Sequence, residues 1–281
     1  MLKRQTSGSV VCPACGRLVG VQQDKCGYCG RSNPGMWGFA SVFRKLGNDL
    51  GFVELVIGGC AVLYLLTLAA DPHGVTMGGA LSFLSPSSRS LFLFGASGAI
   101  PVFSFDRWWT VLSASWLHGG LLHIFFNMMW VRQLAPATAN LFGPGRMVLI
   151  YSMAGVSGFL LTSVVAAYFS LLRGASFSVG ASAAIFGLLG ALVLYGRETG
   201  SSAVGREAWK YALILGVFGF IMPGIDNFAH IGGFIGGYGA AKFLNPLIPE
   251  RVDHLIAAVA VLILTVVSIL ASVGFGRPFL Q

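Results

Sequence analysis

The chain has 281 residues, of which 55% are hydrophobic and only 10% charged. Soluble domains carry about 25% charged residues, so the composition excludes an ordinary soluble enzyme and points to an all-α polytopic membrane protein with a small polar head. The net charge of +8 invites a nucleic-acid reading. The cations are distributed as a topology signal instead, and no nucleic-acid partner is expected.

Residues 1–35 read as a separate unit. Cys12-Pro13-Ala14-Cys15-Gly16 and Cys26-Gly27-Tyr28-Cys29-Gly30 are two C-x-x-C pairs, each trailed by a glycine. This spacing predicts a small four-cysteine zinc ribbon in which Cys12, Cys15, Cys26 and Cys29 hold a structural Zn2+. Four thiolates close the tetrahedron and leave no open position for catalysis. Two disulfides or a redox pair are the competing readings; thiols on a cytosolic face stay reduced, which favours zinc. A unit this short lacks the apolar core to fold unaided, and a metal supplies the missing stability. Sequence does not choose its partner.

Residues 36–51 form a linker whose basic pair, Arg44-Lys45, suits a short amphipathic segment on the membrane surface. Trp37 and Phe39 would serve as interfacial anchors. No apolar run precedes residue 52, so no cleavable signal peptide is expected.

The first span is predicted over 52–70, with Glu54 near its start and Cys60 as a packing residue. Residues 71–107 are too broken for a spanning helix and too apolar for a soluble loop, so they read as a structured loop sunk into one leaflet. That loop holds Ser97 in Gly95-Ala96-Ser97-Gly98. Pro101 follows closely and no long helix starts there, which makes Ser97 the weaker nucleophile candidate.

The second span is predicted over 111–134 and contains His118, His123 and Asn127. His123 and Asn127 are one i, i+4 step apart and share a face. His118, five residues before His123, falls roughly 140° away on a helical wheel and is expected to brace a loop. Polar residues inside a membrane helix are functional suspects; interhelical hydrogen bonding is the alternative role for His123 and Asn127.

Further spans are predicted over 147–169, 182–195, 208–222, 229–244 and 254–274, giving seven. With a cytoplasmic N-terminus, fourteen cations fall inside (Lys3, Arg4, Arg17, Lys25, Arg31, Arg44, Lys45, Arg132, Arg146, Arg197, Arg206, Lys210, Lys242 and Arg251) and four outside (Arg89, Arg107, Arg173 and Arg277). This bias predicts the orientation and puts the cysteines in the reducing compartment.

The helix opening at Ser182 is uncharged from Ala183 to Tyr195. About 15 residues at 1.5 Å each cover roughly 22 Å, short of the roughly 30 Å hydrocarbon core. Its start is therefore submerged, and Ser182 sits at a helix N-terminus where free N–H groups favour a developing negative charge. The span carrying His230 enters from the same side. Gly233-x-x-x-Gly237 gives that span a small-residue stripe, and Gly187, Gly190 and Ala191 offer a facing surface. Close backbones would bring His230 within hydrogen-bond reach of Ser182. Asp226, four residues before His230, reads as the N-cap of the next helix rather than a third catalytic member.

Three motifs in this order, His118-x4-His123-x3-Asn127, Gly180-x-Ser182 and Ala229-His230-x-Gly232-Gly233, resemble those of the rhomboid intramembrane serine proteases. The resemblance covers about residues 52–275, a rhomboid-like membrane protease domain, and omits the zinc ribbon. It implies a seven-transmembrane-helix bundle, Ser182 as nucleophile, His230 as base, and His123 with Asn127 and the Ser182 N–H as oxyanion donors. It also implies transmembrane protein substrates, catalysis without a cofactor, and a multi-pass place in a lipid bilayer, expected to be the bacterial inner membrane. The chain departs from the family in carrying Ala183 where glycine usually follows the serine, Phe186 where tyrosine is common, and Trp109-Thr110 with Arg107 where Trp-Arg is frequent. Two rival readings are a catalytically silent rhomboid-like protein that escorts membrane clients, and a transporter with a zinc-ribbon head. Intact Ser182 and His230 weigh against the first. The lack of an internal repeat and the near absence of carboxylates in the spans weigh against the second.

Overall fold

The computed structural model describes residues 5–12, 15–38, 47–79, 82–169, 171–172 and 174–276. Half of the expected surface linker, at 39–46 with the expected anchor Phe39, and the cations Lys3, Arg4, Arg44, Lys45, Arg173 and Arg277 lie outside the described residues.

The N-terminal unit is an antiparallel ribbon of β1 (Ser9–Val11) and β2 (Leu18–Gly20), with Val10 opposite Val19. Val10, Val19, Val21, Cys12 and Cys26 make up its buried core. An apolar core this small gives little stability on its own.

The rest is helical. Among the described residues seven long helices follow: α1 (Phe52–Ala70), then, after the short α2 (Ser88–Phe94), α3 (Leu121–Phe142), α4 (Pro144–Tyr168), α5 (Ser182–Thr199), α6 (Ser202–Ile221), α7 (Asn227–Leu244) and α8 (Val252–Gly276). Of these, α1, α4 and α8 are long and apolar enough to cross a membrane; the other four are long enough but less apolar. Large apolar side chains on the outer faces stay exposed, among them Leu65, Leu213, Phe220, Ile235 and Leu270. Such surface suits hydrocarbon, not water.

Six of the seven predicted spans match these helices to within a turn or two. The second does not. In place of a helix from residue 111, Thr110–Ser113 forms one α-turn and Ala114–Trp116 a 3-10 turn, Leu117 is extended, and α3 starts only at Leu121. Residues 111–117 are as apolar as the helix that follows, and the break itself falls at His118-Gly119-Gly120.

Glycine lets α5 and α7 lie side by side. A Cβ on Gly233 would fall 2.7 Å from the Ala183 carbonyl carbon and 3.0 Å from its Cα, and one on Gly237 would strike the Gly187 backbone. Gly190 faces Phe234 and Tyr238 in the same way. The successive pairs 183/233 and 187/237 make the two helices parallel, as their entry from one side predicts, and close, as the small-residue stripe predicts. Gly158 brings α4 against both, since a Cβ there would meet Ala229 O at 2.5 Å and the Ala183 Cβ at 2.8 Å.

The 71–107 loop is structured, as expected. It holds a hairpin of β3 (Thr76–Met77) and β4 (Phe83–Ser85), then α2, then a π-helical turn at Ile100–Ser104. Arg107 pins it. The residue is 2% exposed, its guanidinium donates to Phe92 O (2.8 Å) and Ser272 O (3.0 Å), and it lies 4.1 Å over the Phe92 ring. Trp109 Nε1 donates to Ser272 Oγ (3.0 Å) on the same helix, α8. Arg107 and Trp109, two residues apart in the sequence, thus brace the loop against α8.

Candidate active site

Ser182 is the first residue of α5, and no side chain caps that helix end. The N–H groups of the first turn therefore point at the space beside Ser182, with the positive end of the helix dipole behind them. His230 lies in the first turn of α7. Because α5 and α7 are parallel and in backbone contact, the two side chains meet: His230 Nε2 is 2.9 Å from Ser182 Oγ. The imidazole is 8% exposed and stacks on Phe186, centroids 4.2 Å apart and planes 15° apart. With Nε2 accepting the serine proton, Nδ1 carries the ring's own proton, and among the described residues it has no hydrogen-bond partner. Asp226 does not supply one. Its side chain accepts from Ala229 N (3.0 Å) as the N-cap of α7, as expected.

Of the two expected oxyanion residues, His123 is beside the serine. Its Cε1 and Nε2 would lie 2.7 Å from a Cβ placed on Gly180, the residue two before Ser182. Gly180 has φ +129°, open to glycine and strained for other residues, so both its backbone and its lack of a side chain admit the His123 ring. His123 Nδ1 accepts from Gly119 N (3.2 Å), which leaves Nε2 as the N–H donor on the Gly180 side. Asn127 is buried one turn further along α3, and its Nδ2 donates to His123 O (2.9 Å). The structure gives it no direct bond to Ser182.

His118 departs from the helical-wheel expectation. It precedes α3, so helical geometry does not apply, and its ring centroid is 5.2 Å from that of His123. It is fully buried, and neither ring nitrogen is hydrogen-bonded among the described residues. Ser97 is also buried, and its hydroxyl has no hydrogen-bond partner among the described residues. Its backbone pairs with Ser178, Ser97 N to Ser178 O at 3.0 Å and Ser178 N to Ser97 O at 2.8 Å. Its place is structural, joining the 95–100 loop to the segment that leads into Ser182.

The residues missed by sequence reasoning are Ser178 and Thr162. Ser178 Oγ donates to Asp226 Oδ2 (2.6 Å), and Thr162 Oγ1 to Asp226 Oδ1 (2.9 Å). Lone hydroxyls in a loop and a helix carry no local signal of such partners.

The four cysteines of the N-terminal unit converge. All are free thiols, and their Sγ atoms lie within 4.8 Å of one another, with Cys12–Cys29 at 3.8 Å and Cys15–Cys26 at 3.7 Å. A tetrahedron of sulfurs about 2.3 Å from a zinc ion has edges of about 3.8 Å, so the donors fit that ion. Two matching turns, Gly16 N to Cys12 O and Gly30 N to Cys26 O, both 2.9 Å, shape the knuckles. At Cys26 burial is outweighed by hydrogen bonds from the Tyr28 and Cys29 amides, and the thiol is lowered to about 6. At Cys29 the bond from Arg31 is outweighed by burial and the other three thiols, and the thiol is pushed up to about 12. Four crowded sulfurs cannot all ionise without a cation among them.

A family profile described as the Rhomboid domain matches residues 106–247. The chain is 35% identical over 164 residues to "Rhomboid protease GluP" of Bacillus subtilis (strain 168), covering 57% of this chain and 31% of that protein. It is 36% identical over 163 residues to "RHOMBOID-like protein 4" of Arabidopsis thaliana, covering 55% and 39%. "Inactive RHOMBOID-like protein 8" of the same plant is 27% identical over 216 residues, covering 68% and 58%. The chain thus spans less than two thirds of the length of these curated relatives. The profile takes in the Ser182, His230, His123 and Asn127 positions and half of the chain, and the chain belongs to the rhomboid family.

Proposed function

We propose that the chain is an intramembrane serine endopeptidase that cuts transmembrane substrates near their outer-leaflet end. The observation that carries this reading is the 2.9 Å bond between His230 Nε2 and Ser182 Oγ, in a buried setting stacked on Phe186. Ser182 attacks the scissile carbonyl as His230 takes its proton; His230 then returns the proton to the leaving amine. The negative charge of the tetrahedral intermediate falls among the first-turn N–H groups of α5 and the His123 Nε2–H. Asn127, bonded to His123 O, joins by rotating its amide towards the same space. A helical substrate hides its carbonyls, so local unwinding precedes attack, and small or helix-breaking residues near the cut are favoured.

The proposed domains are 1–35, a zinc ribbon; 36–51, a linker; and 52–275, the protease with seven spans, α1 and α3–α8, and a cytoplasmic N-terminus. The zinc is held by Cys12, Cys15, Cys26 and Cys29 and has no part in the chemistry.

The test is cleavage of single-span substrates by the purified full chain in proteoliposomes. Cuts in the outer half of the span, lost in Ser182→Ala and His230→Ala, support the reading. Cleavage that survives Ser182→Ala overturns it. A second reading, a silent rhomboid that binds membrane clients, has the inactive relative in its favour. Stable capture of such substrates by wild type, without cleavage and unaltered in Ser182→Ala, selects it.

A further inference from the structure

The dyad couples two segments far apart in the sequence, and something must hold them in register. The glycine contacts set the distance between α5 and α7 but leave the loop before Ser182 untethered to α7. One carboxylate spans that gap. Asp226 Oδ1 accepts from Ala229 N (3.0 Å) and Thr162 Oγ1 (2.9 Å), and Oδ2 accepts from Ser178 Oγ (2.6 Å). Its own carbonyl accepts from His230 N (3.2 Å). Thr162 Oγ1 in turn accepts from Ala175 N (2.9 Å). Thr162 is fully buried and Ser178 is 7% exposed, so water competes little for these bonds. Among the described residues the bonds to this carboxylate come from hydroxyls and an amide, and such bonds order segments rather than neutralise charge.

We propose that Asp226 is the positioning residue of the Ser182–His230 pair, a clamp that ties the first turn of α7 to α4 and to the 175–180 segment delivering Ser182. The inference rests on the protease reading above. It goes beyond an N-cap, because an N-cap requires only the Ala229 N–H. Two further hydroxyls, from different elements, are aimed at the same carboxylate. Through Ser178, whose backbone is paired with Ser97, the clamp also reaches the 95–100 loop.

The test measures the rate at which a fluorophosphonate inactivates the full chain in detergent, beside amide hydrogen exchange of 174–180 and 227–231. Ser178→Ala removes one hydroxyl and leaves the α7 cap intact. It should slow inactivation about tenfold, since sub-ångström misplacement of a reacting pair is costly, while the thermal midpoint falls by only a few degrees from the lost buried bond. Exchange should quicken in both segments. In an Asp226→Ala background, Ser178→Ala should slow the reaction no further. Asp226→Asn should keep part of the rate, because its amide oxygen still caps Ala229 and its amino group can donate to the Ser178 oxygen. Wild-type inactivation and exchange in Ser178→Ala would overturn the clamp and leave Asp226 a helix cap. If wild type itself does not react, the protease reading fails, and the exchange of 227–231 in Ser178→Ala still decides whether the two segments are tied.

Discussion

Substituting Gly233 by alanine puts one methyl group between the two helices that carry the candidate dyad. The new Cβ would sit 2.7 Å from the Ala183 carbonyl carbon, against about 3.5–4.0 Å for an ordinary carbon contact. Backbone cannot rotate aside as a side chain can, so α7 must move off α5 by about 1 Å. Gly233 is less than one turn from His230, and Ala183 follows Ser182. The displacement therefore reaches the reacting atoms almost undiminished and takes the 2.9 Å Ser182–His230 bond out of hydrogen-bond range. The expected cost is on the order of 100-fold in the rate of Ser182 acylation, with about 1–3 kcal/mol of destabilisation from overpacking. Gly239→Ala is the control. It lies on the same helix with nothing within 4 Å of the new Cβ, and should keep the rate while gaining about 0.5–1 kcal/mol from helix propensity. Inactivation rates and thermal unfolding of both variants in detergent check this. A Gly233→Ala protein with wild-type rate and stability would refute the close-packing account of how the dyad is assembled.

Three more outcomes are expected. Chelation, or Cys15→Ser, should release about one zinc per chain by atomic absorption and abolish exchange protection across residues 8–30, because the unit's small apolar core cannot replace the metal. Arg107→Lys should cost about 1–3 kcal/mol, since an ammonium cannot reproduce the two-pronged bond to Phe92 O and Ser272 O; thermal unfolding reads the loss. The Asp71 carboxyl is held below the usual range, first by the Ser87 hydroxyl, then by the Gly74 amide and the Arg89 and His73 charges. A depressed carboxyl contributes stability above its unfolded pKa and loses it as pH falls through the folded value. The 71–87 hairpin should thus gain hydrogen exchange on acidification below about pH 4, beyond the intrinsic rate change, and Asp71→Asn should remove that dependence.

Much of the site is legible in the sequence because its chemistry sits at helix starts. Gly180-x-Ser182 and His230 each open a helix, and the glycine stripe between 233 and 237 requires a close neighbour that the structure supplies in α5. Phe186, one turn after Ser182, stacks on His230. Cysteine spacing likewise marks which sulfurs converge. What is not legible has physical reasons. The late start of α3 is masked by residues 111–117, which are as apolar as the helix after them; Gly119-Gly120 is the local sign of the break, and a helical wheel drawn through it misplaces His118. The bonds of Asp226 to Thr162 and Ser178 join residues 64 and 48 positions apart. Local patterns reveal the N-cap at Asp226 and nothing of the two hydroxyls that share it. The bracing by Arg107 escapes sequence reasoning because its partners, Phe92 and Ser272, come from a short loop helix and from the last span.

The central claim is that Ser182 is an activated nucleophile. The most direct measurement is fluorophosphonate labelling of the detergent-solubilised full chain, with the adduct mapped by mass spectrometry. A single adduct on Ser182, lost in His230→Ala and kept in Ser97→Ala, is the predicted result. An adduct on Ser97, or labelling of Ser182 that persists at the wild-type rate in His230→Ala, would contradict it.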